Sequence, residues 1–287
     1  MTSDFQKITI LGAGVLGGSL ALTIHQLPNS PKVVLWARRS ESADEAREIG
    51  ISQATTDLRE AVSGSNLLVL AVPVGAMPQL LAAAIQSGLP ESCLITDVGS
   101  VKVAPHQSLT PVLADCENTF IGSHPMAGSE QTGLSVASAT LFQDAACILT
   151  NDSDASSHDA ASLEAFWKSV GCRTSWMSAL AHDQLVARIS HLPHILAASA
   201  ARVCLKDSSQ GNFGGGGLRD TTRIAAGNPA MWAEILTENR QALVGPLRET
   251  IADLREILAT LEEAKLETAR DWLDTAKQQR DTLTQTR

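Results

Sequence analysis

The sequence predicts an α/β fold: an N-terminal Rossmann-like dinucleotide-binding domain followed by an all-helical C-terminal dimerisation domain. Three observations predict it. Short apolar β-like runs alternate with helical stretches through the first half, the pattern of a mostly parallel sheet covered on both faces. A GxGxxG sequence, Gly12 to Gly17, stands between the first run and the first helical stretch. After Met177 the strand signal disappears. The boundary is expected there, giving domains 1–177 and 178–287. A length of 287 residues suits two domains, and 44% hydrophobic residues can fill a core in each.

The elements follow in order. Strands are expected at Lys7–Leu11 (KITIL), Lys32–Trp36 (KVVLW), 66–72 (NLLVLAV) and 93–96 (CLIT). Weaker strand candidates lie at 120–121, Ala146–Thr150 and 172–177. Helices are expected between the early strands, at 15–26, 42–49 and 75–86. The polar stretch 151–157 (NDSDASS) reads as a loop. In the second half, 179–206 reads as one helix with a break near Pro193, followed by a glycine run and then helices from residue 229. Leu243, Leu247, Ile251, Leu254, Leu258 and Leu261 recur at helical spacing and form one apolar stripe, either core or dimer seam. Pro246 predicts a kink or a local break within it.

Composition excludes several classes. With 22 Lys and Arg against 31 Asp and Glu, the net charge is -9, so a nucleic-acid partner is not expected. No stretch is apolar for long enough to span a bilayer, and no secretory signal pattern opens the chain, so a cytoplasmic location without membrane attachment is expected. Five scattered cysteines form no CxxC pair and fit reduced, buried thiols. Ser190 to His194 contains HxxH, but two ligands without a third do not make a metal site, and no metal is expected.

The glycine-rich turn carries the clearest chemistry. Within Gly12, Ala13, Gly14, Val15, Leu16 and Gly17, the first glycine allows a tight turn. The second lets a pyrophosphate approach the backbone, and the third lets helix and strand pack closely. The helix start then offers free N–H groups to phosphate. After the second strand, the position that often carries an NAD-selecting carboxylate is Ala37, and Arg38, Arg39 and Ser40 follow. Planar guanidinium donors suit a 2′-phosphate. NADP is therefore the expected cofactor, with NAD as the alternative.

Ligands bind beyond the carboxyl ends of the strands in such sheets. Val72 and Pro73, the stretch Asp97 to Lys102, and the stretch Gly122 to Glu130 all follow expected strands and should converge on one crevice. His124 is expected on a Gly/Pro-rich loop, poorly placed for core packing, which makes it a catalytic candidate. The second half adds His191, His194 and the run Leu218 to Arg223, better suited to anion binding than to a metal.

The stretches GAGVLGGSLA, AVPV, DVGSVK, GSHPMAGSE, SHLPH and RDTTRIAAGNPAMW resemble the prephenate/arogenate dehydrogenases of tyrosine biosynthesis, in the family's order from residue 12 to residue 232. The resemblance implies oxidative decarboxylation of prephenate or arogenate to 4-hydroxyphenylpyruvate or tyrosine by a homodimer. By it, His124 is the catalytic histidine and Ser100 its hydroxyl companion. His194 and Arg223 hold the substrate, Ser129 and Glu130 line and gate the pocket, and Trp232 lies near its mouth. Asp220 is expected to orient arginines. The 55 residues after 232 leave no expected room for a further mutase or regulatory domain. Two other readings stand beside this one. One is an NADP-dependent hydroxyacid or imine oxidoreductase of the same two-domain plan. The other is a non-catalytic NADP-sensing protein. Neither has a task for His124, Ser100 and Arg223 together.

Overall fold

The computed structural model describes residues 5–127 and 131–284. Eight strands form one sheet: β1 (Lys7–Leu11), β2 (Lys32–Trp36), β3 (Ala54–Thr55), β4 (Leu67–Leu70), β5 (Leu94–Asp97), β6 (Phe120–Pro125), β7 (Ala146–Thr150) and β8 (Arg173–Trp176). Their order is β3-β2-β1-β4-β5-β6-β7-β8. The pairings from β3 to β6 are parallel, as crossover helices require. β7 then runs antiparallel to β6, and β8 runs parallel to β7.

Strand residues divide between two cores by their period of two. In β4, Leu67 and Val69 join Ile8, Ile10, Leu35 and Trp167 on one side. Leu68 and Leu70 join Leu11, Met77, Leu81, Ile95 and Phe120 on the other. A strand buried on both faces must be apolar throughout, which is why β4 reads LLVL without alternation.

Helices α1 (Val15–His25), α2 (Ser40–Glu48), α3 (Leu58–Val62), α4 (Met77–Gln86), α5 (Val103–Leu113) and α6 (Ser157–Ser169) connect the strands. The short β3 and the helices α3, α5 and α6 were not expected from sequence. Two of them carry ordinary start signals. Asp57 accepts the Glu60 N–H at 3.1 Å, and Ser156 accepts the Asp159 N–H at 3.1 Å. The polar stretch before α6 is a loop closed by Asn151, which bonds both N–H and C=O of Ala155.

The expected long helix is two. α7 (Ala179–Val186) and α8 (Leu192–Cys204) meet at a π-helical turn, Ala187–His191. The interruption falls just ahead of Pro193, which lacks an N–H and is accommodated in the first turn of α8. α9 (Gly216–Thr222), the turn Arg223–Ala226, α10 (Pro229–Glu238), α11 (Arg240–Glu262) and α12 (Leu266–Thr284) follow. α11 runs through Pro246 without the expected break. One missing N–H removes a single bond from a helix of 23 residues.

By its contacts the chain divides into two compact units, 1–240 and 241–287. The first contains the sheet and the helices through α10. In the second, Trp272 Nε1 donates to Asp253 Oδ1 at 3.0 Å, tying α12 to α11 across a turn in which Ala264 is left-handed. Ile251, Leu254, Leu258 and Leu261 of the apolar stripe are exposed.

Candidate active site

The glycine turn lies between β1 and α1. Gly12 has φ +128°, and a Cβ there would run into the Ala71 carbonyl just after β4. A Cβ on Gly17 would strike the Gly12 carbonyl, so α1 is seated directly on the turn. Around Gly14 the space is open: a Cβ there would meet no atom within 4 Å. Gly14 also precedes a helix start with no side-chain cap and no acidic residue in its first turn. Free N–H groups, a positive dipole end and an open approach fit a pyrophosphate. Ala13, Val15 and Leu16 are half-buried, and Ala13 and Leu16 pack against the core. Val72 is half-buried beside Gly12, while Pro73 is exposed and starts the 3-10 turn Val74–Ala76.

Beyond β2, Ala37 is buried, and Arg38, Arg39 and Ser40 are exposed where α2 begins. Neither arginine has an ion-pair partner among the described residues. Trp36 Nε1 donates to the Thr56 carbonyl at 3.0 Å, tying this strand end to the segment after β3.

His124 corrects the sequence reading. It lies within β6 rather than on a loop after it, pairs in register with Ile148 of β7, and is buried. The Gly and Pro that suggested a loop have local reasons. Gly122 leaves room for Thr150 Oγ1, the Lys102 stem and the His106 ring. Pro125 closes the strand.

His124 Nδ1 lies 2.8 Å from His182 Nε2, and His182 Nδ1 lies 2.7 Å from Asp183 Oδ1. Asp183 also accepts the Lys102 N–H at 2.7 Å and the Val103 N–H at 3.0 Å, so a carboxylate from within α7 caps the start of α5. Burial pushes His124 well below the ordinary histidine range, and His182, Lys102 and His191 push in the same direction. Burial also lowers His182, against the opposing pull of Asp183. Both rings are therefore neutral near pH 7.

A buried ion pair supports this cluster. Lys102 and Asp97 are in contact with neither side chain exposed. Burial lowers the Lys102 ammonium, and Asp97 holds it up. Asp97 Oδ1 accepts the Ser123 N–H at 3.1 Å, joining the end of β5 to the residue before His124. The Ser123 hydroxyl meets Thr96 Oγ1 at 2.7 Å and accepts Trp167 Nε1–H at 2.9 Å.

Further along, Asn239 donates to His191 Nδ1 at 2.9 Å and to the Asp183 carbonyl at 2.9 Å. His194 stacks on Trp232, with ring centroids 3.5 Å apart and planes 9° apart. His191 Nε2 and His194 Nδ1 are buried side-chain atoms without a hydrogen-bond partner. Burial lowers His191 to about 4 and lowers His194 as well.

The structure thus joins His124 to α7, and His194 to Trp232. Ser100 is half-buried in the segment after β5 and shares no hydrogen bond with His124. Arg223 is exposed in the turn after α9, as Asp220 is within that helix. Ser129 and Glu130 lie outside the described residues. Among the described residues no group of three His, Cys, Asp or Glu is placed to hold a metal, and no helix is long and apolar enough to cross a membrane.

Sequence reading missed Asp97, Lys102, His182, Asp183 and Asn239 as members of the cluster. The His182-Asp183 dipeptide was a usable signal. Asp97 and Lys102 were equally visible at the two ends of DVGSVK, but nothing local marks them as buried.

Residues 20–176 match the family described as prephenate dehydrogenase, nucleotide-binding domain. Residues 178–275 match prephenate dehydrogenase, dimerization domain. The chain is 34% identical over 255 residues to the cyclohexadienyl dehydrogenase of Zymomonas mobilis, covering 87% of this chain and 86% of that one. The solved prephenate dehydrogenase of A. aeolicus, in complex with hydroxyphenyl propionate and NAD+, is 26% identical with a TM-score of 0.87, covering 97% and 98% of the two chains. Synechocystis arogenate dehydrogenase is also 26% identical, with a TM-score of 0.79 and coverage of 96% and 99%. With both halves matched in order, and with the nucleotide cradle and buried histidine in place, the chain belongs to the prephenate dehydrogenase family.

Proposed function

We propose that this chain catalyses the NAD(P)-dependent oxidative decarboxylation of prephenate or arogenate, yielding 4-hydroxyphenylpyruvate or tyrosine. The observation that carries this reading is His124, a buried neutral imidazole at the carboxyl side of the sheet in a chain of this family. The two-domain hydroxyacid and imine oxidoreductases leave such a histidine without a task.

The cofactor fits the residues present. Gly12, Ala13, Gly14, Val15, Leu16 and Gly17 would hold its pyrophosphate, with Val72 and Pro73 beside the cradle. When bound, the nicotinamide accepts the hydride leaving C4 of the cyclohexadienol ring. Arg38, Arg39 and Ser40 would hold a 2′-phosphate, so NADP is preferred and NAD is the weaker cofactor.

His124 takes the C4 hydroxyl proton as carbonyl character develops there. Loss of CO2 then leaves an aromatic ring, which makes the step irreversible. Ser100 orients the same hydroxyl. Arg223 offers its guanidinium fork to a substrate carboxylate. Leaving a buried polar atom unmet costs about 1–3 kcal/mol, so the unpartnered nitrogens of His191 and His194 favour a polar ligand that meets them. Ser129 and Glu130 complete the pocket in this reading. The protein works as a homodimer in the cytoplasm, with the functional division of the chain at residue 177.

The test is steady-state kinetics with both substrates and both cofactors. Reduction of NADP by prephenate or arogenate supports the reading. No turnover with any of the four combinations contradicts it.

A further inference from the structure

We propose that His182 and Asp183 are positioning residues that fix the His124 tautomer and receive its positive charge. This proposal rests on the reading of His124 as the base. The argument starts at the carboxylate. Asp183 accepts a backbone N–H on each oxygen, from Lys102 and from Val103. An ionised carboxylate only accepts, so in the contact at 2.7 Å the proton sits on His182 Nδ1. A neutral imidazole carries one N–H, which leaves His182 Nε2 with a lone pair. That lone pair faces His124 Nδ1 at 2.8 Å, a separation that requires one proton between the two nitrogens. It belongs to His124 Nδ1. His124 Nε2 is then the unprotonated nitrogen, ready to accept a proton from substrate.

The same chain moves charge. When the substrate O–H bond breaks, the proton bonds to His124 Nε2, and the Nδ1 proton passes to His182 Nε2. His124 returns to neutral, and the imidazolium forms on His182 against the Asp183 carboxylate. The hydride goes to the oxidised nicotinamide that the proposed reaction already requires. As CO2 leaves C1, its bonding electrons aromatise the ring and restore negative charge to the C4 oxygen. The two protons then retrace their paths, and His124 Nε2 returns its proton to that oxygen. The product leaves as a phenol, and no net proton is released.

The surroundings favour charge on His182 over charge on His124. His124 faces His191 of the π-helical turn and Lys102 of the segment after β5, both of which oppose a positive charge. The Cys147 thiol on β7 is held uncharged by burial and offers no counter-ion. His182 is in direct contact with Asp183 and also feels Asp97, against the opposing charge of Lys102.

Two near-isosteric variants and one spectrum test the relay. His182→Gln keeps an oxygen to accept the His124 N–H but cannot take a proton. Asp183→Asn keeps one oxygen, enough for one of the two backbone N–H groups, and cannot neutralise an imidazolium. Each should lower kcat by about 10²–10⁴-fold with little change in KM. Asp183→Asn should also move the acid limb of kcat/KM to lower pH, a shift that a purely structural role would not cause. Folded variants with kcat within about threefold of the intact enzyme and an unmoved limb would overturn the proposal. The intact protein labelled with 15N-histidine supplies a reading independent of variant folding and of substrate. Long-range 1H–15N spectra, with the His124 signals assigned by their loss in His124→Asn, should show Nδ1 protonated and Nε2 bare. The opposite tautomer overturns the relay. Inactivity of the intact enzyme on both substrates would overturn the proposed function alone, and the tautomer would still decide the relay.

Discussion

Arg38 and Arg39 illustrate how a residue can be read before its surroundings are known. Their chemistry is local: two exposed guanidiniums at a strand end, with no carboxylate at Ala37 and no ion-pair partner among the described residues. Each charge-assisted hydrogen bond is worth about 1.5–3 kcal/mol, roughly 10–100-fold in binding. Arg38→Ala with Arg39→Ala should therefore weaken NADP by at least that factor and leave NAD nearly unchanged, as titration of each cofactor would measure. Equal loss of both would remove the 2′-phosphate from the account. The glycines of the cradle were legible for the same reason, because Gly12 and Gly17 answer to clashes with the backbone beside them. His182 was not legible. It meets His124 across 58 residues of sequence, and only the docking of α7 beside β6 brings the rings together.

At the scale of elements, the buried Asp97–Lys102 pair links β5 to α5 and, through Ser123, to β6. Removing one partner leaves a charge in the interior, which costs about 3–5 kcal/mol. Lys102→Met should lower stability by that amount in urea unfolding. The exposed Arg47–Asp44 pair is its control: breaking that pair should change stability by less than about 1 kcal/mol. Similar losses at the two sites would contradict the assigned burial. The sequence signal was strongest for elements whose pattern is set by their own burial, such as β1, β2 and β4. It was weakest where an element depends on a distant partner. β6 looked like a two-residue strand because GSHP carries loop-forming residues, and it is completed by β7. α5 carries Pro105 and Pro111 and no capping side chain of its own, and its start is capped by Asp183 from α7.

Over the whole molecule, buried histidines set the response to acid. His106, His124, His182, His191 and His194 all bind protons less readily when folded than at the ordinary value of 6.5. The unfolded chain therefore binds more protons below that value. Stability is full above about pH 6.5 and is lost as pH falls below it, with His191 alone contributing about 1.4 kcal/mol per unit down to about 4. Melting temperature should fall steadily from pH 7 to pH 5, and a flat profile would mean that these rings are solvated. Assembly is the second property at this scale. The exposed stripe Ile251, Leu254, Leu258 and Leu261 lies in the region matched by the dimerization family. Leu254→Glu with Leu258→Glu should give a monomer mass by light scattering where the intact chain gives a dimer, and an unchanged dimer would move the interface elsewhere. The most direct measurement of the central claim is the stoichiometry of the reaction with NADP and prephenate or arogenate, for the intact enzyme and for His124→Asn. The account predicts one CO2 released per cofactor reduced, and a kcat about 10²–10⁴-fold lower in a variant that still binds cofactor. Cofactor reduction without CO2, or a near-normal kcat in His124→Asn, would contradict it.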